Sequence, residues 1–135
     1  MPIVNYVPFT VSGRIVHLSG QLSRGVADEV RGTVGVDVDL DRAVYAARLC
    51  AINLIAQAQT ACDGDLDRVT RVLKLGGFVQ AGPDFEAIPT IINGASNLIV
   101  EAFGDRGRHA RSAVGVFRLP MGYAVEVDAV IEIAT

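Results

Sequence analysis

Between Arg106 and Ser112 the chain reads Arg-Gly-Arg-His-Ala-Arg-Ser, gathering three guanidinium groups and an imidazole just ahead of an apolar run. An arginine at the mouth of a strand can present its planar fork to a carboxylate or a phosphate. Arg111 is placed for that role, although on composition alone a solvated basic loop accounts for the cluster more simply. Glu126 is the second candidate. It stands between Val125 and Val127, so in a strand it points away from the apolar side, where the solvent face of a half-exposed sheet would explain it.

Other chemistries lack their residues. The sequence has no Walker loop, zinc-type cysteine pair, GxSxG elbow or HExxH motif, and its glycine pairs have no strand–GxGxxG–helix context. His17 and His109 are far apart, which gives a metal site weak support. Neither a metal nor another cofactor is expected.

The 135 residues fit one domain over 1–135 with a genuine core, half of them hydrophobic and a fifth charged. A net charge of −3 supplies no field for a polyanion, so nucleic acid is not an expected partner. Apolar content rests on Val, Ile, Leu and Ala, and a surplus in so small a domain points to a subunit interface. Cys50 and Cys62 fall in one predicted helix, ~18 Å apart along its axis and too far for a disulfide. Reduced buried thiols, no secretory signal and no membrane-length apolar run make a cytoplasmic protein the expectation.

The elements that must position Arg111 and Glu126 follow from hydrophobic spacing. Val4 to Thr10 reads as a strand or extended arm, with Pro8 favouring an edge, and Ile15 to Gly20 as a strand after the Ser12-Gly13 turn. Asp39 caps a long helix whose stripe is Val44, Ala47, Ala51, Leu54, Ala58 and Ala61, with Gly64 as its stop. Val69 to Val79 reads as a strand with a bulge expected at Gly76-Gly77. A second helix is predicted from Pro89 to Phe103, its stripe formed by Ile92, Ala95, Ile99 and Ala102. Asn93 and Gly94 inside it are poor helix formers and call for another reason. Ser112 to Arg118 and Tyr123 to Ile133 close the chain as strands, the latter alternating. The order strand-strand-helix-strand-helix-strand-strand implies an α+β fold with two helices on one face of a mixed sheet.

Ala110-Arg-Ser-Ala-Val-Gly-Val-Phe-Arg-Leu-Pro followed by Val125-Glu-Val resembles the C-terminal signature of the RidA/YjgF family, also labelled endoribonuclease L-PSP or translation initiation inhibitor. Asn5-Tyr6-Val-Pro is similar to the family's tyrosine region, Val16-His-Leu-Ser-Gly-Gln21 to its Ser-Gly-Gln strand end, and Gly64-Asp-Leu-Asp-Arg-Val-Thr-Arg-Val to its entry into the middle strand. Ile92-Asn-Gly-Ala-Ser-Asn resembles a divergent branch. The likeness spans nearly the whole chain.

The resemblance implies a chorismate-mutase-like fold assembled as a homotrimer with clefts between subunits. It also implies hydrolytic deamination of enamine/imine intermediates such as 2-aminoacrylate to 2-keto acids and ammonia. Arg111 would clamp the substrate carboxylate, helped by a backbone N–H at Gly20. Glu126 would position or activate water, while Tyr6, Asn93 and Ala113 would line the pocket. No covalent catalyst is needed, because an iminium is already electrophilic. Two departures stand out: Ala113 replaces a cysteine frequent in the family, and Asn93 to Arg111 is one residue longer than in its best-studied branch. Three other readings remain open: a non-catalytic binder of small carboxylates or keto acids, an endoribonuclease or translation inhibitor, and chorismate-mutase-like chemistry. The last would need Arg108 or Arg118 to converge with Arg111.

Overall fold

The helix expected after Asp39 runs from Leu40 to Ala61 (α1) in the computed structural model, which describes residues 5–135. Asp39 caps it, its carboxylate accepting from the Arg42 N–H at 2.8 Å and satisfying a donor the first turn leaves free. Ala47, Ala51, Leu54 and Ala58 of the predicted stripe are buried, joined by Ala43, Ala46 and Cys50. Val44 and Ala61 are only partly buried. The second helix spans Ile88–Phe103 (α2), with Pro89 in its first turn. Ile92, Ala95 and Ile99 are buried as expected, but Ala102 is exposed and Phe103 takes the inward position instead.

Ahead of the helices, Phe9–Ser12 (β1) and Ile15–Leu22 (β2) form a hairpin, with Gly13 at φ +62° in the two-residue turn. Val4, where the first strand was expected to begin, lies outside the described residues. The later strands are Val69–Gln80 (β3), Ala110–Val116 (β4) and Val125–Ile133 (β5). Their order across the sheet is β1-β2-β5-β3-β4. β3 and β4 are parallel, as a crossover through α2 requires, and every other pair is antiparallel. The result is an α+β fold with both helices packed on one face of a mixed five-stranded sheet.

β5 shows the logic of the layers. Val125, Val127, Ala129, Ile131 and Ile133 are buried toward the helices, while Glu126, Asp128, Val130 and Glu132 alternate onto the other face. Each Val, Leu or Ile fully buried in this way contributes about 1.5–3 kcal/mol. The bulge expected at Gly76-Gly77 is absent: both residues pair in continuous register with β4 and β5. Register slips instead between Val69 and Arg71 and between Val72 and Lys74. The glycines answer to close approach rather than to strand irregularity. A side chain on Gly76 would overlap the Asp128 carboxylate, and one on Gly77 would come within 2.7 Å of Ile92 in α2.

The stretch between β2 and α1 is irregular but tied down. Ser23 Oγ donates to the Val30 carbonyl, and Gln80 Nε2 donates to that of Gly32 while its Oε1 accepts from the Leu119 N–H. Cys50 and Cys62 are free thiols in the interior, and burial raises both above the ordinary thiol range. None of the helices is long and apolar enough among the described residues to cross a membrane.

Candidate functional site

Arg111 lies second in β4, in register with Leu75, and turns to the helix-covered side of the sheet. There it meets α2. Its Nη1 donates to Asn93 Oδ1 at 2.8 Å and to Ser96 Oγ at 3.2 Å, and its Nη2 donates to the Pro89 carbonyl at 3.4 Å. A guanidinium has five N–H donors, so the Nε–H and one Nη2 hydrogen remain without a partner among the described residues. The side chain is half-buried and held in one orientation, with donors on two nitrogens left for an anion. Ala113 follows on the same side of β4 and packs against the core.

Two further residues belong to this cluster. Ser96 Oγ lies 2.8 Å from His109 Nε2, and His109 Nδ1 lies 2.6 Å from the Gly107 carbonyl. Sequence reading singled out neither as a site residue, although the signals existed. Ser96 follows Asn93 by one helical turn, which puts both on one face, and His109 precedes Arg111 by two, which puts both on one side of an extended chain. Asn93 is therefore explained by its bond to Arg111. Gly94 is explained by packing, since a side chain there would strike the Val44 carbonyl of α1.

The other arginines of the cluster go elsewhere. Arg106 Nη1 donates to the Val69 carbonyl at 2.6 Å, and Arg108 pairs with Asp105 at 3.4 Å. Arg118 stacks on Phe117, beyond the far end of β4. Neither Arg108 nor Arg118 joins Arg111, which leaves chorismate-mutase-like chemistry without its second cation.

Glu126, Gly20 and Tyr6 form a second grouping. β2 and β5 lose register between Leu18 and Gln21, so Ser19 and Gly20 have no ladder partner in β5. Glu126 occupies that opening. Its carboxylate lies so close over Gly20 that any side chain there would overlap it. Among the described residues it accepts no hydrogen bond, and burial together with the neighbouring Asp128 charge raises it above the usual carboxylate range. Glu126 is not part of the lining of a cavity of about 520 Å3 that Gly20 shares with Tyr6, Arg24, Asn53 and Gln57 among others. Tyr6 is 70% exposed at its rim.

One chain does not bring the two groupings together. Phe78 is in register with both Val114 of β4 and Glu126 of β5, so these lie two strand spacings apart. Arg111 is three residues further along β4, which sets its α-carbon roughly 14 Å from that of Glu126. The two side chains also leave opposite faces of the sheet.

Residues 1–130 match the family model described as "YjgF/chorismate_mutase-like, putative endoribonuclease". The chain belongs to that family. Protein TCP17 of Trypanosoma cruzi is 47% identical over 134 residues, covering 98% of this chain and 83% of that protein. The crystal structure of Atu1372 from Agrobacterium tumefaciens, a protein of unknown function, has a TM-score of 0.94 at 50% identity, over 96% of this chain and 82% of that one. TdcF of E. coli, crystallised with bound serine, shares the fold at a TM-score of 0.65 and 21% identity, over 98% of this chain and 91% of its own. Family membership agrees with the resemblance carried by Ala110-Arg-Ser and Val125-Glu-Val.

Proposed function

We propose that this YjgF-family chain hydrolyses small enamine/imine intermediates bearing a carboxylate, such as 2-aminoacrylate, to 2-keto acids and ammonia. The observation that carries the reading is Arg111, fixed by Asn93, Ser96 and Pro89 with donors on two nitrogens left over among the described residues. Such an arginine takes a carboxylate without first reorganising. TdcF with bound serine provides a relative whose crystallised ligand carries a carboxylate. Glu126 supplies the second group. A carboxylate held above its usual range and without a hydrogen-bond partner among the described residues is suited to accept a proton from water and to return it to a departing amine.

These two groups meet only if a second copy contributes one of them. In the proposed assembly, a homotrimer, Arg111, Asn93 and Ala113 of one subunit face Tyr6, Gly20 and Glu126 of its neighbour. The uncovered sheet face supports this arrangement. It carries Phe78, Val114 and Val130 beside the carboxylates, and Val114 is 46% exposed in the single chain.

A non-catalytic carboxylate binder is the second reading, favoured by the fact that the Arg111 cluster is complete within one chain whereas Glu126 is remote from it. The endoribonuclease named in the family description has less behind it, given a net charge of −3 and the dispersal of Arg106, Arg108 and Arg118. The deciding experiment generates 2-aminoacrylate in situ and follows keto-acid release. Acceleration by the wild type and its loss, by at least about a hundredfold, in Arg111→Ala is the expected result. Wild-type acceleration retained in Arg111→Ala would overturn the assignment. Binding of pyruvate with no acceleration across a panel of imines would leave a binding protein.

A further inference from the structure

The contacts behind Arg111 have a direction. The Gly107 carbonyl can only accept, so His109 Nδ1 carries the proton that bonds it at 2.6 Å. In the neutral ring Nε2 is then an acceptor, and the Ser96 hydroxyl must donate to it at 2.8 Å. With its single hydrogen committed, Ser96 Oγ offers only lone pairs to Arg111 Nη1, which donates at 3.2 Å. With the ring neutral, every member of the chain from Gly107 to Arg111 has one role, and reversing a link would leave two donors or two acceptors face to face.

The elements explain why these groups meet. Gly107 closes a short 3-10 turn, Gly104–Gly107, that follows α2 directly. A side chain on Gly107 would press on the Ile99 carbonyl at 2.6 Å, so the turn is pressed against the helix that carries Ser96. His109 stands between that turn and β4. The helix and the edge strand are thus cross-linked through one imidazole, at the point where Arg111 leaves the strand.

We propose that Ser96 and His109 are positioning residues for Arg111: this one-way chain fixes the guanidinium so that its Nε–H and free Nη2 hydrogen face the ligand carboxylate. The proposal rests on the carboxylate-clamp reading of Arg111 and adds two residues to it. The pair sets selectivity as well as affinity. A fixed guanidinium favours a planar, charged, two-oxygen group over an amide, whereas a mobile one forfeits that preference. Ser96→Thr retains the hydroxyl, and His109→Gln retains an acceptor for it, so both conserve the direction of the chain.

The test measures binding of pyruvate and of pyruvamide to the intact protein by calorimetry. The wild type is expected to prefer pyruvate. Ser96→Ala and His109→Ala should weaken pyruvate about tenfold with little change for pyruvamide, and Ser96→Thr and His109→Gln should recover most of the difference. A purely structural role would weaken both ligands alike and follow the melting temperature, which would overturn the proposal. Arg111→Ala separates the layers. If it abolishes pyruvate binding while Ser96→Ala does not weaken it, the positioning proposal fails and the clamp stands; if Arg111→Ala leaves pyruvate binding unchanged, the clamp reading fails. Side-chain nitrogen NMR of the wild type requires no variant: slow rotation about the Arg111 guanidinium bonds supports the chain, and free rotation overturns it.

Discussion

Arg111 and Glu126 stand in opposite surroundings. Arg111 is stabilised where it stands by acceptors from α2, whereas Glu126 is destabilised as a carboxylate by burial and by Asp128. Removing the charge from Glu126 should therefore relieve the single subunit while disabling the chemistry. Glu126→Gln is expected to melt at least as high as the wild type at neutral pH, by up to a few degrees more, and to lose imine hydrolysis. Calorimetry beside a keto-acid assay checks both, and a lower melting temperature would count against the desolvation argument. At this scale the sequence was partly legible. The Ala110-Arg-Ser and Val125-Glu-Val pieces singled out the two charged groups, and Asn93 drew notice as a poor helix former. The Ser96–His109 link was not seen, because its members belong to different elements and the bond depends on how α2 crosses β4.

Gly94 illustrates the scale of the elements. α1 and α2 touch there, and the Val44 carbonyl occupies the place where a side chain would stand. Gly94→Ala would gain about 1 kcal/mol of helix propensity. The clash is with backbone, which cannot turn aside as a side chain can, and forcing such overpacked sites typically costs about 1–3 kcal/mol. The net expectation is destabilisation by up to about 2 kcal/mol, read as a lower urea midpoint at unchanged slope. A midpoint equal to or above the wild type would show that the helices can part without cost. Hydrophobic spacing predicted both helices and four of the five strands closely, since burial on one side writes a period of 3.6 or 2 into the chain, whereas the first strand, expected from Val4 to Thr10, is Phe9–Ser12. The Gly76-Gly77 pair misled for a physical reason. Those glycines make room for Asp128 and Ile92, which come from elements that spacing within β3 cannot reveal.

For the whole molecule, pH acts through two sets of carboxylates with opposite signs. Glu126 and Asp128 are raised, so the folded state takes up protons before the unfolded chain does. Their contribution is full below the ordinary carboxylate range and is lost as pH rises through their folded values. Asp28 and Glu29 are lowered, first of all by their hydrogen bonds to Arg42 and Arg31. Their contribution is present above the ordinary range and is lost as pH falls through their folded values. Melting temperature should thus rise slightly from neutral to about pH 5 and fall at stronger acid, and Glu126→Gln should flatten the first limb only. A subunit interface over the open sheet face would accentuate that limb by burying the same carboxylates. Sedimentation at micromolar concentration is expected to show a trimer, and Val114→Lys, which puts an ammonium on that face, should give monomers without activity. A wild-type monomer with full activity would refute the shared site.

The separation of Arg111 from Glu126 across the sheet has a genetic consequence. Two defective versions of this chain, one lacking the arginine and one lacking the carboxylate, fail at different ends of the same subunit. In a ring where each site borrows one end from each neighbour, random co-assembly of equal amounts restores about a quarter of the sites, because one ordered pairing in four is intact. Inactive Arg111→Ala and Glu126→Gln proteins, unfolded and refolded together, should therefore recover activity that neither shows when refolded alone.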